Sequence, residues 1–385
     1  MKTFISPKQF SLPLKISPFL VIICIHANAQ VATDSTTADS VLLRQIEQQM
    51  QAPAPAAPRG GASANPDISA IGDFQGSYNS EAEKNYDLYL HEAEFSFQAV
   101  VDPYVRADFF LSFGRDPETH KYGVDVEEGY LTTLSLPAKL QLKAGKFKQA
   151  LGRINPVHAH ALPFIDMPNA FVNYFGEEGL NDEGLSLSWL LPNNAFYQEL
   201  TFQTTAGFSE TPSFMRSTGN HFVYLAHLKN FWDLSDNATL EFGLSGVTGP
   251  NDSSLTTNIG AADLTYKWKP VQLNTYHSLT WQSEFFFSNA KFTENNTVNS
   301  FGLYSFITYQ IAKRWMATGR YDYSQHPYSS KSTEQAVSAT FEWYATEFQK
   351  IGIEGKFTDP NDGDSYFEGW LRWIFIIGSH GAHQY

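Results

Sequence analysis

Val105-Arg106-Ala107-Asp108-Phe109-Phe110-Leu111-Ser112-Phe113 decides the fold class. Side chains alternate across an extended strand. Val105, Ala107, Phe109, Leu111 and Phe113 therefore share one face, and Arg106, Asp108 and Ser112 share the other. Residues 196–209 repeat the pattern, with Leu200, Phe202, Ala206 and Phe208 set against Glu199, Thr201, Gln203 and Thr205. Near the end of the chain, Phe367, Leu371, Trp373, Phe375 and Ile377 oppose Glu368 and Arg372. Such strands need an apolar solvent on one side and a wet one on the other, as in a transmembrane barrel.

Working outward, sixteen such segments follow one another. They cover roughly 67–78, 88–101, 104–114, 123–135, 140–151, 183–191, 196–209, 221–233, 237–248, 257–269, 277–288, 299–311, 314–324, 334–345, 349–358 and 365–378. The fourth alternates poorly. Leaving aside the end of the chain, links after even-numbered segments are mostly short: Asp102-Pro103, Leu136-Pro137-Ala138, Pro192-Asn193-Asn194, Leu234-Ser235-Asp236 and Ala312-Lys313. Those after odd-numbered segments are generally longer and more polar: Asn79–Asp87, Arg115–Tyr122, Glu210–Asn220, Asn289–Val298 and Gln325–Thr333. Periplasmic turns and longer external loops segregate in this way in outer-membrane barrels, and a soluble sandwich has no reason to copy it. Closure also leaves no strand edge to desolvate in lipid. The expected fold is all-β, a porin-like transmembrane antiparallel β-barrel of about sixteen strands spanning 65–385. Tyr104, Tyr122, Trp232, Trp268, Tyr276, Trp315, Tyr323 and Tyr344 lie near strand ends, where interfacial aromatic girdles form.

The first 29 residues read as a secretory signal. Lys2, Lys8 and Lys15 precede the short apolar run Phe19–Ile25, and Ala27-Asn28-Ala29 forms a small-x-small cleavage site. A lipoprotein signal would use Cys24, but Ile23 stands where a small residue is wanted. Residues 30–64 read as a periplasmic helix, Val41–Gln51, with Leu42, Ile46 and Met50 on one stripe. A Pro/Ala/Gly linker, Ala52–Ala64, follows it. The helix serves as a tether or as an oligomerisation segment.

Removal of the signal takes away the single cysteine, which excludes disulfides and thiolate sites. It leaves 23 basic against 40 acidic residues, a formal −17. That balance argues against a nucleic-acid partner. No nucleophile elbow, phosphate-binding loop or H-E-x-x-H occurs, so no enzymatic activity is expected. The partners expected are outer-membrane lipid, small hydrophilic solutes or metal ions, and further copies of the same chain.

The longest connection runs from Arg153 to Asp182, and loops of that length in a compact fold are usually functional. By parity it is the third external loop, and resemblance to trimeric general porins, a fold-level analogy, implies that it folds into the lumen and narrows it. His158 and His160 are two apart and would share one face of an extended segment. With Asp166 they make a candidate zinc site. Glu177, Glu178 and Asp182 are further oxygen donors, and a loop that simply packs as a constriction is the alternative. His380 and His383 form a looser second pair. No other cofactor is implied.

The wet face is expected to carry Glu92, Glu94, Asp108, Glu199, Glu241, Asp263, Glu284, Asp322, Glu342 and Glu368. Facing them are Arg106, Lys143, Lys267, Arg314, Arg320, Lys356 and Arg372. The residues singled out as pore-lining are Arg106, Asp108, Glu199, Arg320, Asp322, Glu368 and Arg372. Charged rings of this kind tune selectivity, and the acid excess favours cations. Salt bridges among these charges are the alternative use.

One block resembles a known family. It runs from Val126-Glu127-Glu128-Gly129-Tyr130 through Leu136-Pro137, Leu140–Phe147 and His158-Ala159-His160 to Asp166. Asp182-Glu183-Gly184-Leu185 and Trp189–Pro192 continue it. These residues resemble bacterial proteins labelled zinc-regulated TonB-dependent outer-membrane receptors. The tail Gly378–His383 is similar to the C-termini of Bacteroidetes porin-like proteins. The resemblance implies zinc-controlled expression and a part in metal uptake. A true TonB-dependent transporter has about 22 strands and a plug domain. The residues after the linker suit sixteen strands with nothing left over for a plug. Three functions remain open: a passive or weakly selective pore narrowed by Arg153–Asp182, a zinc-linked uptake protein, and a plugged structural or adhesion barrel.

Overall fold

The computed structural model describes residues 66–82, 85–116, 119–193, 195–209, 211–215 and 222–378. The signal, helix, linker and the His380/His383 pair lie outside them.

The alternating segments pair into sixteen antiparallel strands, each beside its neighbours in sequence. They are β1 (Asp67–Asn79), β2 (Tyr86–Asp102), β3 (Val105–Arg115), β4 (Tyr122–Thr133), β5 (Leu140–Lys148), β6 (Asn181–Leu190), β7 (Tyr197–Thr205) and β8 (Val223–Ser235). They continue as β9 (Ala238–Pro250), β10 (Thr256–Trp268), β11 (Leu279–Thr293), β12 (Asn296–Ala312), β13 (Trp315–His326), β14 (Ser329–Thr346), β15 (Gln349–Pro360) and β16 (Tyr366–Gly378). β1 closes the barrel against β16 in a register that sets Phe74 opposite Trp373 and Gln75 opposite Arg372. Closure pairs every strand on both sides, as lipid demands.

The apolar face of each strand points outward. Phe109, Leu187, Phe202, Phe285, Phe287, Ile307, Val337, Ile353, Leu371 and Ile377 are all exposed, forming a belt suited to acyl chains. Tyr104, Tyr122 and Trp315 sit at strand ends and are exposed. Tyr344 departs from the expected girdle. Its hydroxyl donates to Glu342 and its ring lies under Lys350, so it faces the lumen.

Two strands explain where alternation fails. Across β3–β4, Phe110 pairs with Glu128 and Leu111 with Val126, so Glu127 is an extra, bulged residue. The bulge leaves both Glu127 and Glu128 buried inside. A similar shift in β2 lies between Leu90 and Glu92, at His91. Bulges re-aim side chains in this way next to functional sites.

Several external loops expected to be long are strand instead. β11 and β12 continue pairing until only Glu294-Asn295 remain between them, and β13 and β14 until only Pro327-Tyr328. The polar arms keep satisfying one another's backbone groups beyond the lipid, so the ladder does not stop where the apolar pattern stops.

Candidate functional site

The Gln149–Leu180 connection folds into the barrel. Its neck is closed by Asn155, whose Nδ2 donates to Gln149 O and Leu180 O at 2.7 and 3.0 Å. Asn155 Oδ1 accepts from Leu180 N at 2.7 Å. Within the loop, a single turn of 3-10 helix spans Ala159–Ala161, and a short helix, α1, spans Asn169–Phe175.

Side chains from opposite walls hold this segment. Toward β9 and β11, Arg153 N and Ile154 N donate to Glu284 Oε1 at 2.6 and 2.9 Å, and Arg153 pairs with Glu241 at 3.5 Å. Gly152 lies over the same carboxylate at φ +56°, where a Cβ would come within 2.3 Å of Glu284 Oε2. Glycine is required there by conformation and by space together. Toward β13 and β15, Asp166 bonds Arg320 at 2.9 Å and Lys356 at 2.7 Å. Ile165 N donates to Glu354, and Asn169 N donates to Asp322 at 3.2 Å. On β16, Arg372 donates to Leu162 O at 3.2 Å and pairs with Glu342 at 3.3 Å.

The third wall is apolar. Leu151, Ile154, Leu162, Phe164, Phe171, Tyr174 and Phe175 of the loop pack with the inward-facing Leu225, Val247, Ile259, Phe286, Tyr304 and Phe306 of β8–β12. Phe175 meets Phe286 edge to face at 5.2 Å and Phe164 meets Phe306 at 5.3 Å. Each such side chain contributes roughly 1.5–3 kcal/mol by burial. This inner core was missed in the sequence reading. Its signal was there, because Phe285-Phe286-Phe287 and Leu303–Ile307 are apolar on both faces.

The histidines meet the barrel at β2 and β4. His158 Nδ1 lies 2.9 Å from Glu94 and 3.1 Å from Glu127, and its Nε2 lies 2.8 Å from Glu128. His160 Nδ1 is 3.6 Å from Glu94. Burial opposes a charge on His158, yet the hydrogen bonds to Glu127, Glu128 and Glu94 outweigh it and hold its pKa well above the usual value. The structure thus brings His158 and His160 together and adds Glu94, Glu127 and Glu128, which spacing alone did not join to them. Asp166 does not take part. Burial disfavours its carboxylate, but Arg320 and then Lys356 more than offset this and bring its pKa down to about 2.

The seven residues expected along the pore all lie on strands. Asp108, Arg320, Asp322 and Arg372 are buried. Arg320 and Arg372 face the loop directly, while Arg106 pairs with Asp108 at 2.8 Å and Lys356 with Glu368 at 2.8 Å. Glu199 accepts from the Tyr197 hydroxyl at 2.6 Å. Near the short-turn end, a cavity of about 500 Å³ is lined by Tyr197, Lys229, Phe231, Asp233 and Glu241.

No protein-family profile matches the chain. An uncharacterized protein of Aquifex aeolicus (strain VF5) is 27% identical over 353 residues, covering 80% of this chain and 72% of that protein. Among solved structures, the outer membrane channel DcaP of Acinetobacter baumannii superposes with a TM-score of 0.59 at 12% identity, covering 83% of this chain and 99% of that one. An anion-selective porin from Comamonas acidovorans gives 0.56 at 10% identity, covering 80% and 98%. The fold is that of the porin-like outer-membrane β-barrels of Gram-negative bacteria, and the comparisons give no support to a TonB-dependent receptor.

Proposed function

We propose that this porin-like barrel is an outer-membrane diffusion channel, without enzymatic activity, for small hydrophilic solutes. The Arg153–Asp182 loop is its constriction. The observation that carries the reading is the loop's course, since it enters the lumen and bonds to walls on β2–β4, β9–β11 and β13–β16. A segment held from several sides narrows the path and sets a size limit. The remaining path carries mixed charge, with Arg153, Lys229 and Glu241 on one side, so selectivity is weak. In this reading residues 1–29 are removed on export and 30–64 form a periplasmic tether.

Single-channel recording in planar bilayers tests the reading. The full chain should give small ohmic steps, and replacing 156–178 by a short Gly/Ser linker should enlarge them. Silence from the full chain with large steps after replacement would make the protein a plugged barrel. Silence from both would remove the channel altogether.

A further inference from the structure

We propose that Glu94, His158 and His160, with Glu127 beside His158, hold a resident divalent transition-metal ion, zinc by the chemistry of the donors, which pins the lumen loop to the barrel wall. This goes beyond the channel reading and does not depend on it.

Glu94, His158 and His160 place one donor atom each within 4.8 Å of one another, and Glu127 approaches the same His158 nitrogen. A tetrahedral zinc with ligands at about 2.0–2.1 Å keeps neighbouring ligand atoms about 3.3 Å apart. Here His158 Nδ1 is 2.9 Å from Glu94 Oε2 and 3.1 Å from Glu127 Oε1, and His160 Nδ1 is 3.6 Å from Glu94 Oε2. The far nitrogen of His158 is set for the same role. Its Nε2 lies 2.8 Å from Glu128 Oε1, and with an N–H donated there the Nδ1 proton shared with Glu94 and Glu127 is the one a metal ion would displace. A carboxylate behind a ligating imidazole is the usual support of a zinc site.

Glu94 supplies a second, independent observation. It is 2% exposed, and its Oε1 finds no hydrogen-bond donor among the described residues; neither does Glu127 Oε2. Glu92, Glu94 and Glu127 place carboxylate oxygens within 4.8 Å of one another, as do Glu94, His158 and His160 their donor atoms. Glu128 adds a fourth carboxylate, while the lysine paired with this group is Lys148, on Glu127 at 3.1 Å. With neutral imidazoles these five groups carry three net negative charges in an enclosed volume, and a divalent ion lowers that excess to one. Two imidazoles with carboxylates suit zinc and its first-row neighbours, whereas calcium and magnesium take oxygen alone. Enclosure suits an ion that stays, as structural sites are closed. His158 precedes and His160 lies within one turn of the loop, while Glu94 and Glu127 stand on β2 and β4, so the ion would tie the loop to the wall.

The test uses the full chain, folded in detergent, stripped with a chelator and titrated with zinc alone. One equivalent should bind and raise the melting temperature, and cobalt in its place should give the intense visible bands of a tetrahedral site. Glu94→Gln and His160→Ala should each weaken zinc binding at least about tenfold. His380→Ala/His383→Ala should leave it unchanged. A folded wild-type protein that binds no stoichiometric zinc and gives no tetrahedral cobalt spectrum would overturn the proposal. So would binding that survives in folded Glu94→Gln/His160→Ala protein. The wild-type readings decide the matter even if a variant fails to fold, and none of them measures conductance.

Discussion

Asp166→Asn isolates the electrostatic hold on the loop. The carboxylate bridges Arg320 at 2.9 Å and Lys356 at 2.7 Å, and the Arg320 side chain is 1% exposed. Removing one partner of a buried pair costs about 3–5 kcal/mol, because the remaining charge stays desolvated. Arg320 keeps Asp322 at 3.1 Å and Lys356 keeps Glu368 at 2.8 Å, so the lower end, about 3 kcal/mol, is expected. That is about a hundredfold in the local opening equilibrium of the loop around Asp166. Single-channel traces should then show larger or flickering steps, and protease should cut the loop faster at pH 7.

Proton linkage gives the same group a second signature. The pKa of Asp166 is lowered from 3.8 to about 2. Its stabilisation is therefore fully present above the unfolded value, near pH 4, and is lost as pH falls through 2. The amount is about 2 kcal/mol by the shift. Wild type should loosen in that acid window, and the variant should lack the step. Unchanged conductance and unchanged protease protection in Asp166→Asn at pH 7 would refute the reasoning.

Three further outcomes follow from the geometry. Phe175→Ala empties the contact with Phe286 and should cost about 3–5 kcal/mol, read as a lower temperature for loss of the compact band on heated gels. Gly145→Val places a Cβ 2.1 Å from Gly129 O at φ +139°, so the yield of folded barrel in vesicles should fall sharply; normal yield would mean the wall there is free to move. Arg153→Ala removes the cation paired with Glu241, and the reversal potential in a salt gradient should shift toward cation selectivity. An unshifted potential would place Arg153 off the conducting path.

Strand count, direction and outward face were legible because lipid imposes a period of two that turns do not blur. Val105–Phe113 and Phe367–Ile377 show it at a glance. Strand ends were less legible, since β12 and β14 extend past the lipid with polar pairs that carry no apolar signal. The poor alternation of the fourth segment was a real observation whose cause could not be read. One extra residue, Glu127, inverts the pattern from there on and sends two adjacent glutamates inward. The histidine pair could be named from H-x-H spacing, but Glu94 lies more than sixty residues away, on a strand that touches the loop only once the barrel closes.

The sequence by itself determined a closed antiparallel barrel, because every strand must satisfy its backbone in lipid and face two solvents, and both demands are local. Only the tertiary structure decided what fills the lumen. Closure brings β2, β4, β11, β13 and β16 around one loop, and partners across a lumen carry no periodicity along the chain. Asp166 thereby left the histidines for Arg320 and Lys356, while Glu94 and Glu127 joined them.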